Sequence, residues 1–175
     1  MALRTIVQDG DPILKKVCRP VTKFDDRLAT LLDDMKETLY EANGWGLAGP
    51  QVGVMRRIFI SLDDRNAPED LPEDARLPIM EFINPEILEL SDEKVELYEG
   101  CLSFPGHNGA IQRSKHVKVR AQDRNGNFFE AEGEEIVARC FCHEIEHLDG
   151  HLFTEHADRL YTTEELDRMM EEQGE

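Results

Sequence analysis

Between Arg57 and Ala131 the sequence carries five strand-like runs with no helical pattern among them, and a helix-like segment stands on either side. The runs are Arg57 to Leu62, Phe82 to Leu90, Val95 to Tyr98, His116 to Ala121 and Phe128 to Ala131. Pro85 donates no N–H to a ladder, so it puts part of the second run at an edge or a bulge. Asn125-Gly126 is a strong two-residue turn and joins the last two runs as a hairpin. Strands that follow one another without intervening helices predict an α+β fold with mostly antiparallel sheet. Before them, Asp25 and Asp26 cap a helix running to about Ala42. Leu28, Leu31, Leu32, Met35 and Leu39 form its apolar face, and Asn43-Gly44 ends it. After them, a second helix runs from about Glu134 to Leu148 and stops at Asp149-Gly150. Thr162 with Glu165 forms a capping box for a short last helix carrying Leu166, Met169 and Met170.

The segment from Asp63 to Pro78 is rich in Pro, Asp and Glu and reads as a long surface loop. It does not divide the chain into separate cores, and no internal repeat is visible. The 175 residues therefore read as a single domain, 1–175. A formal net charge of −17 argues against binding the backbone of DNA or RNA and against anionic membrane surfaces. No apolar run approaches the roughly 18 residues needed to cross a bilayer. The opening residues lack a signal or transit pattern, so the expected compartment is the cytoplasm, or an organelle if a transit segment has been removed. Cys18, Cys101, Cys140 and Cys142 are not expected to form disulfides in such a chain. Cys140 and Cys142 are two apart on a helix and point to different sides, a poor arrangement for clamping one ion.

The second helix contains His143-Glu144-Ile145-Glu146-His147. Residues four apart on a helix lie one turn above each other, so both imidazoles can bind one metal ion. Glu144, beside the first, is placed to take a proton from an activated water and deliver it later. A catalytic metal usually has three protein ligands and one open position. His151 and His156 are candidates for the third by composition, but both read more readily as surface histidines. Cys101 is the better candidate: it follows a strand, and Gly100 beside it allows a sharp turn or close approach. A lone Cys is also commonly a small buried residue. Three readings stay open on the residues: a hydrolase using Cys101, a zinc endopeptidase using a downstream ligand, and a binding module with a closed structural metal.

Three motifs bear on the choice. Gly44-Trp45-Gly46-Leu47-Ala48-Gly49-Pro50-Gln51, Glu99-Gly100-Cys101-Leu102-Ser103 and His143 to His147 occur in that order. Together with Asp11-Pro12-Ile13-Leu14, Arg113 and Asn125-Gly126, they make the chain resemble the peptide deformylases over nearly its whole length. The resemblance implies sheets packed around a central metal-binding helix. It also implies hydrolysis of the N-formyl group from the initiator methionine of nascent polypeptides. By resemblance the ligands are Cys101, His143 and His147, and Glu144 is general base and then acid. The Gln51 side chain and the Leu102 backbone N–H donate to the developing oxyanion. Gly46 pairs with substrate backbone, and Glu99 belongs to the substrate-binding face. Leu97, Ile136 and Cys140 line the methionine pocket, with core packing as the other reading of each. Arg113 pairs with Glu99 and holds the Cys101 loop. The implied cofactor is one divalent ion, Fe²⁺ in the cell, with Zn²⁺, Ni²⁺ or Co²⁺ also suited to a site with one thiolate.

Departures from the family pattern are Gly49 for a usual second Ala, expected to loosen the loop, Cys142 for a common Gln, and Glu146 for the usual Asp. Some members dock on ribosomes through a basic C-terminal helix. Residues 163–175 here hold six acidic residues and one Arg, so this tail is not expected to dock on RNA, although ribosome-bound nascent chains remain the expected partners. Leu166, Met169 and Met170 are expected to pack the tail onto the domain or to form a partner face.

Overall fold

The computed structural model describes residues 2–174; Met1 and Glu175, the ends of the opening and of the tail considered above, lie outside the described residues. Helix α1 spans Asp26–Ala42. The Asp25 carboxylate accepts from the Leu28 N–H at 3.1 Å, and Asn43 closes the helix in the left-handed conformation at φ 54°. Strands β1 (Gly46–Ala48), β2 (Ile58–Leu62), β3 (Ile79–Leu90), β6 (His116–Gln122) and β7 (Phe128–Glu134) form one sheet in the order β1-β2-β3-β6-β7. Strands β4 (Lys94–Gly100), β5 (His107–Ser114) and β8 (Leu160–Thr162) form a second sheet in the order β4-β5-β8. Every strand pair within the two sheets is antiparallel. Helix α2 (Ile136–Leu148) packs between the sheets, and α3 (Thr163–Gln173) follows β8. The fold is α+β, as the order of elements predicts.

Strand β2 is buried on both faces because it is sandwiched between helices. Ile58 and Ile60 pack with Leu32, Met35 and Leu39 of α1. Phe59 points the other way, toward α2, where it stacks on Phe82 at 4.5 Å between centroids; Phe141 lies 4.8 Å from Phe82. Each such ring excludes a large apolar area from water, and this cluster supports α2 from behind. Eleven of the thirteen residues of α2 are buried, so its polar members must find partners inside the protein.

Three strands were not foreseen: β1, β5 and β8. Pro85 does not mark an edge, since β3 lies between β2 and β6; it sits at a bulge, where the β3–β6 register shifts between Ile83 and Glu86. Asn84 takes φ 52° there. Its amide accepts from the Val21 N–H at 2.8 Å and donates to the Val21 carbonyl at 2.9 Å and to Gln122 at 2.8 Å. Helix α2 starts at Ile136 rather than Glu134, because Glu134 still pairs with His116 in β7.

The link from β7 to α2 is Glu135, at φ 54° and ψ −110°. That conformation suits glycine and is strained for a residue with a Cβ. Glu135→Gly is expected to stabilise the fold. Relief of about 1–3 kcal/mol of strain outweighs about 0.5–1 kcal/mol of added chain entropy. A thermal melt should show Tm rising by a few degrees, at about 2–4 °C per kcal/mol for this size. An unchanged or lower Tm would contradict a strained entry to α2.

Candidate active site

Helix α2 carries His143 and His147 one turn apart, with ring centroids separated by 4.9 Å. Cys101 enters from the turn that follows β4, and its Sγ lies 3.4 Å from His147 Nε2. One donor atom from each of Cys101, His143 and His147 lies within 4.8 Å of the others, so the three converge on a common point. One sulfur and two imidazole nitrogens suit a borderline divalent cation. One buried atom fits the same conclusion: among the described residues Glu144 Oε2, beside this point, has no hydrogen-bond partner. His151 and His156 lie away from this point. Both are exposed and face Glu155 and Glu146, respectively.

Glu144 is buried, with Oε1 4.0 Å from His143 Nε2. Burial pushes its carboxyl up to about 7, against the opposing influence of His143. The thiols of Cys140 and Cys142 are also raised by burial, Cys142 to about 11, so both stay protonated.

Gln51 lies on a short 3-10 turn, Gly49–Val52, and is buried. Its Oε1 accepts from the Ala48 N–H at 2.9 Å. Its Nε2 donates to Ser103 Oγ at 3.1 Å and to Cys101 Sγ at 3.3 Å. These bonds fix which end of the amide faces Cys101 Sγ. The expectation that Gly49 loosens this turn needs correction. A Cβ at Gly49 would stand 2.8 Å from the carbonyl oxygens of both Val54 and Arg56, so the glycine permits a tight approach.

A cavity of about 440 Å³ opens onto Cys101, His143 and Glu144. Ile136 and Cys140, two of the three expected walls, line it, as do Gly46 and Leu102. A Cβ at Gly46 would meet Cys140 Sγ at 2.6 Å, so only glycine leaves that wall open. Leu97 is not part of the lining. It lies two residues before Glu99 on β4, about 7 Å along an extended strand, and is 39% exposed. Trp45 and Tyr98, not foreseen, do line the cavity.

Glu99 reaches the cavity wall, but its carboxylate is taken up inside the protein, which corrects its reading as a substrate-binding group. Oε1 accepts from Arg113 at 2.7 Å and from His143 Nδ1. Oε2 accepts from Arg139 at 2.9 Å and from Arg113 Nε at 3.2 Å. Burial alone would raise its pKa; hydrogen bonds from His143 and Arg113 hold it well below the usual carboxylate range. Because Nδ1 of His143 is engaged, Nε2 is the nitrogen presented to a metal. The Glu99–Arg113 pair is as expected. Arg139 was missed: it also donates to the Ile111 carbonyl at 2.9 Å and the Val95 carbonyl at 2.6 Å, joining β4 and β5 to α2.

The polypeptide deformylase family model matches residues 3–163. The chain belongs to the peptide deformylase family. A peptide deformylase of Agathobacter rectalis is 52% identical over 155 residues, which are 89% of this chain and 90% of that one. The crystal structure of a peptide deformylase from Thermotoga maritima is 40% identical, with a TM-score of 0.81, covering 91% of this chain and 100% of that one. A class I type b peptide deformylase from Acinetobacter baumannii, crystallised with Met-Ala-Ser bound, is 35% identical with a TM-score of 0.79; the match covers 89% of this chain and 99% of that one. The protein is thus a hydrolase with the family activity, removal of the N-formyl group from nascent peptides. The family is metal-dependent, and this chain has the Cys/His cluster.

Arg113→Met leaves the buried Glu99 short of its bidentate partner. It is expected to cost about 3–5 kcal/mol in denaturant unfolding. It should also weaken metal binding by about 10–100-fold in chelator competition, as loss of an outer partner does. A variant with wild-type stability and metal affinity would show that the pair does not organise the site.

Proposed function

We propose that residues 1–175 act as one catalytic domain in which Cys101, His143 and His147 hold a single divalent cation, Fe²⁺ in the cell. The observation that carries this reading is the buried Glu144 carboxylate, its Oε2 without a partner among the described residues, beside three convergent ligand atoms at a cavity. When bound, such a cation supplies Lewis-acid activation of water and of the formyl carbonyl.

Glu144 takes a proton from the attacking water and returns it to the amine nitrogen as the C–N bond breaks, giving formate and a free N-terminus. A carboxyl near 7 is suited to both halves of that transfer. Gln51 Nε2 and the Leu102 backbone N–H stabilise the oxygen as it gains charge. Ala48 and Ser103 hold the Gln51 amide in place, and the Nε2 hydrogen now on Cys101 Sγ turns to the oxygen as charge develops. The methionine side chain occupies the cavity between Ile136 and Cys140, with Gly46 leaving room for the substrate backbone. Strands β1 and β4 each lie at one edge of their sheets; β1 begins at the cavity, at Gly46, and β4 ends there, at Gly100. An extended peptide can add to such an edge through its backbone. That the Acinetobacter baumannii relative was crystallised with Met-Ala-Ser bound supports a peptide as the ligand.

The proposed setting is the cytoplasm, on ribosome-bound nascent chains, without direct contact to nucleic acid. Among the described residues no helix is long and apolar enough to cross a membrane. In α3, Leu166 is buried, Met169 is half-buried and Met170 is 59% exposed, which favours a helix packed on the domain through Leu166. Metal analysis of anaerobically purified protein, with formate release from a formyl-methionyl peptide on the same sample, tests the cofactor and the activity together. Iron absent from an active preparation would overturn Fe²⁺.

Glu144→Gln should retain the metal and the fold and lose about 10²–10⁴-fold in turnover, the usual worth of base catalysis. Formate release at the wild-type rate from the metal-loaded variant would remove Glu144 from its role. Ribosome co-sedimentation supplies a second check. An acidic α3 should give no association that falls steeply as salt rises, the mark of phosphate contact.

A further inference from the structure

Glu146 precedes the ligand His147 on α2 without being a ligand. Its Oε1 accepts from Arg113 at 2.6 Å and lies 3.0 Å from His156 Nε2. Arg113 in turn grips both oxygens of Glu99, and Glu99 holds His143 Nδ1. A continuous chain of charged contacts therefore runs from a proposed metal ligand to a histidine whose side chain is 45% exposed.

We propose that His156 is a positioning residue for the metal site: it holds Glu146 on Arg113 and, through Arg113 and Glu99, sets the ring of His143. The inference rests on the metal centre proposed above. Charge is the first reason. Two buried guanidiniums, Arg113 and Arg139, share the single carboxylate of Glu99, and Glu146 supplies the balancing negative charge. Freedom of movement is the second. Glu146 is anchored through one oxygen alone, for Oε2 has no partner among the described residues, and its side chain is 25% exposed. Without a second contact that carboxylate can turn toward water and take Arg113 with it. An ionised carboxylate only accepts, so Nε2 of His156 carries the proton and donates. The backbone beneath His156 is fixed, because its N–H closes the short 3-10 turn Phe153–Glu155 onto the Phe153 carbonyl at 3.0 Å.

The test compares wild-type protein with His156→Phe, His156→Gln and Glu146→Gln. Co²⁺ affinity is measured by chelator competition, the Co²⁺ absorption bands are recorded, and kcat and KM are taken on a formyl-methionyl peptide. Phe keeps a ring without the donor, whereas Gln places an amide N–H at similar reach. His156→Phe should weaken Co²⁺ binding by roughly 3–10-fold, less than the 10–100-fold typical of a direct outer partner. Its Co²⁺ bands should shift and kcat should fall at unchanged KM, with Tm unaffected because the side chain is at the surface. His156→Gln should restore all three, and Glu146→Gln should exceed the effect of His156→Phe. Wild-type Co²⁺ affinity, spectrum and kcat in His156→Phe would overturn the proposal while leaving the metal centre intact. So would a His156→Gln variant as impaired as His156→Phe. Failure of the wild-type protein to bind Co²⁺ would instead overturn the metal centre and the inference with it.

Discussion

One buried carboxylate organises the active side of this protein. Glu99 comes from β4, Arg113 from β5, and Arg139 and His143 from α2, and all of them meet at the two oxygens of Glu99. An ionised group out of water is costly unless nearly every lone pair is engaged, and here four donors engage it. The consequence is geometric as much as energetic. The five-stranded sheet meets α2 through aromatic packing of Phe59, Phe82 and Phe141, which tolerates small shifts. The three-stranded sheet is joined to α2 by directed charge-assisted bonds, which do not. Cys101 lies two residues beyond Glu99, so the lock that orients the first imidazole also carries the thiolate to it.

The parts of the fold legible in the sequence were those whose periodicity is set by their own residues. Helix α1 shows its buried face in Leu28, Leu32, Met35 and Leu39, and β6 alternates cleanly in His116-Val117-Lys118-Val119. Strand β5 could not be seen that way. Its His107-Asn108-Gly109-Ala110 half has little strand preference, and pairing with β4 on one side and β8 on the other makes it extended. The same holds for β1, three residues inside a glycine-rich motif that form a strand because β2 offers an edge.

Site residues divide along a similar line. Cys101, His143, His147 and Gln51 are each carried by a local motif, and the structure brings their side chains together. Arg139 was missed because its role is to reach strands more than 25 residues away in sequence, which no local pattern records. Gly49 was misread for a related reason. Absence of a methyl looks like slack when only neighbours in sequence are considered, whereas the carbonyls of Val54 and Arg56 fold back to within contact. Leu97 shares a strand with Glu99, but two residues of extended chain carry it past the cavity wall.

The burial of α2 sets a further condition on the molecule. The helix takes His143, Glu144 and His147 into the interior, and Glu144 Oε2 and His147 Nδ1 lack partners there among the described residues. An unsatisfied buried polar atom costs about 1–3 kcal/mol. The apolar contacts on the opposite face of the helix, around Phe141, must therefore supply enough stability to hold these groups in place before any ligand arrives. A cation held as proposed would bind the folded arrangement far better than an unfolded chain, so its binding free energy would add to folding stability. The polar side of α2 is thus kept poised at the expense of stability, and the aromatic side makes that tolerable. Preorganisation of the Glu144 carboxyl follows from the same division, because the group is fixed by the helix on which it sits and not by a partner it would have to release.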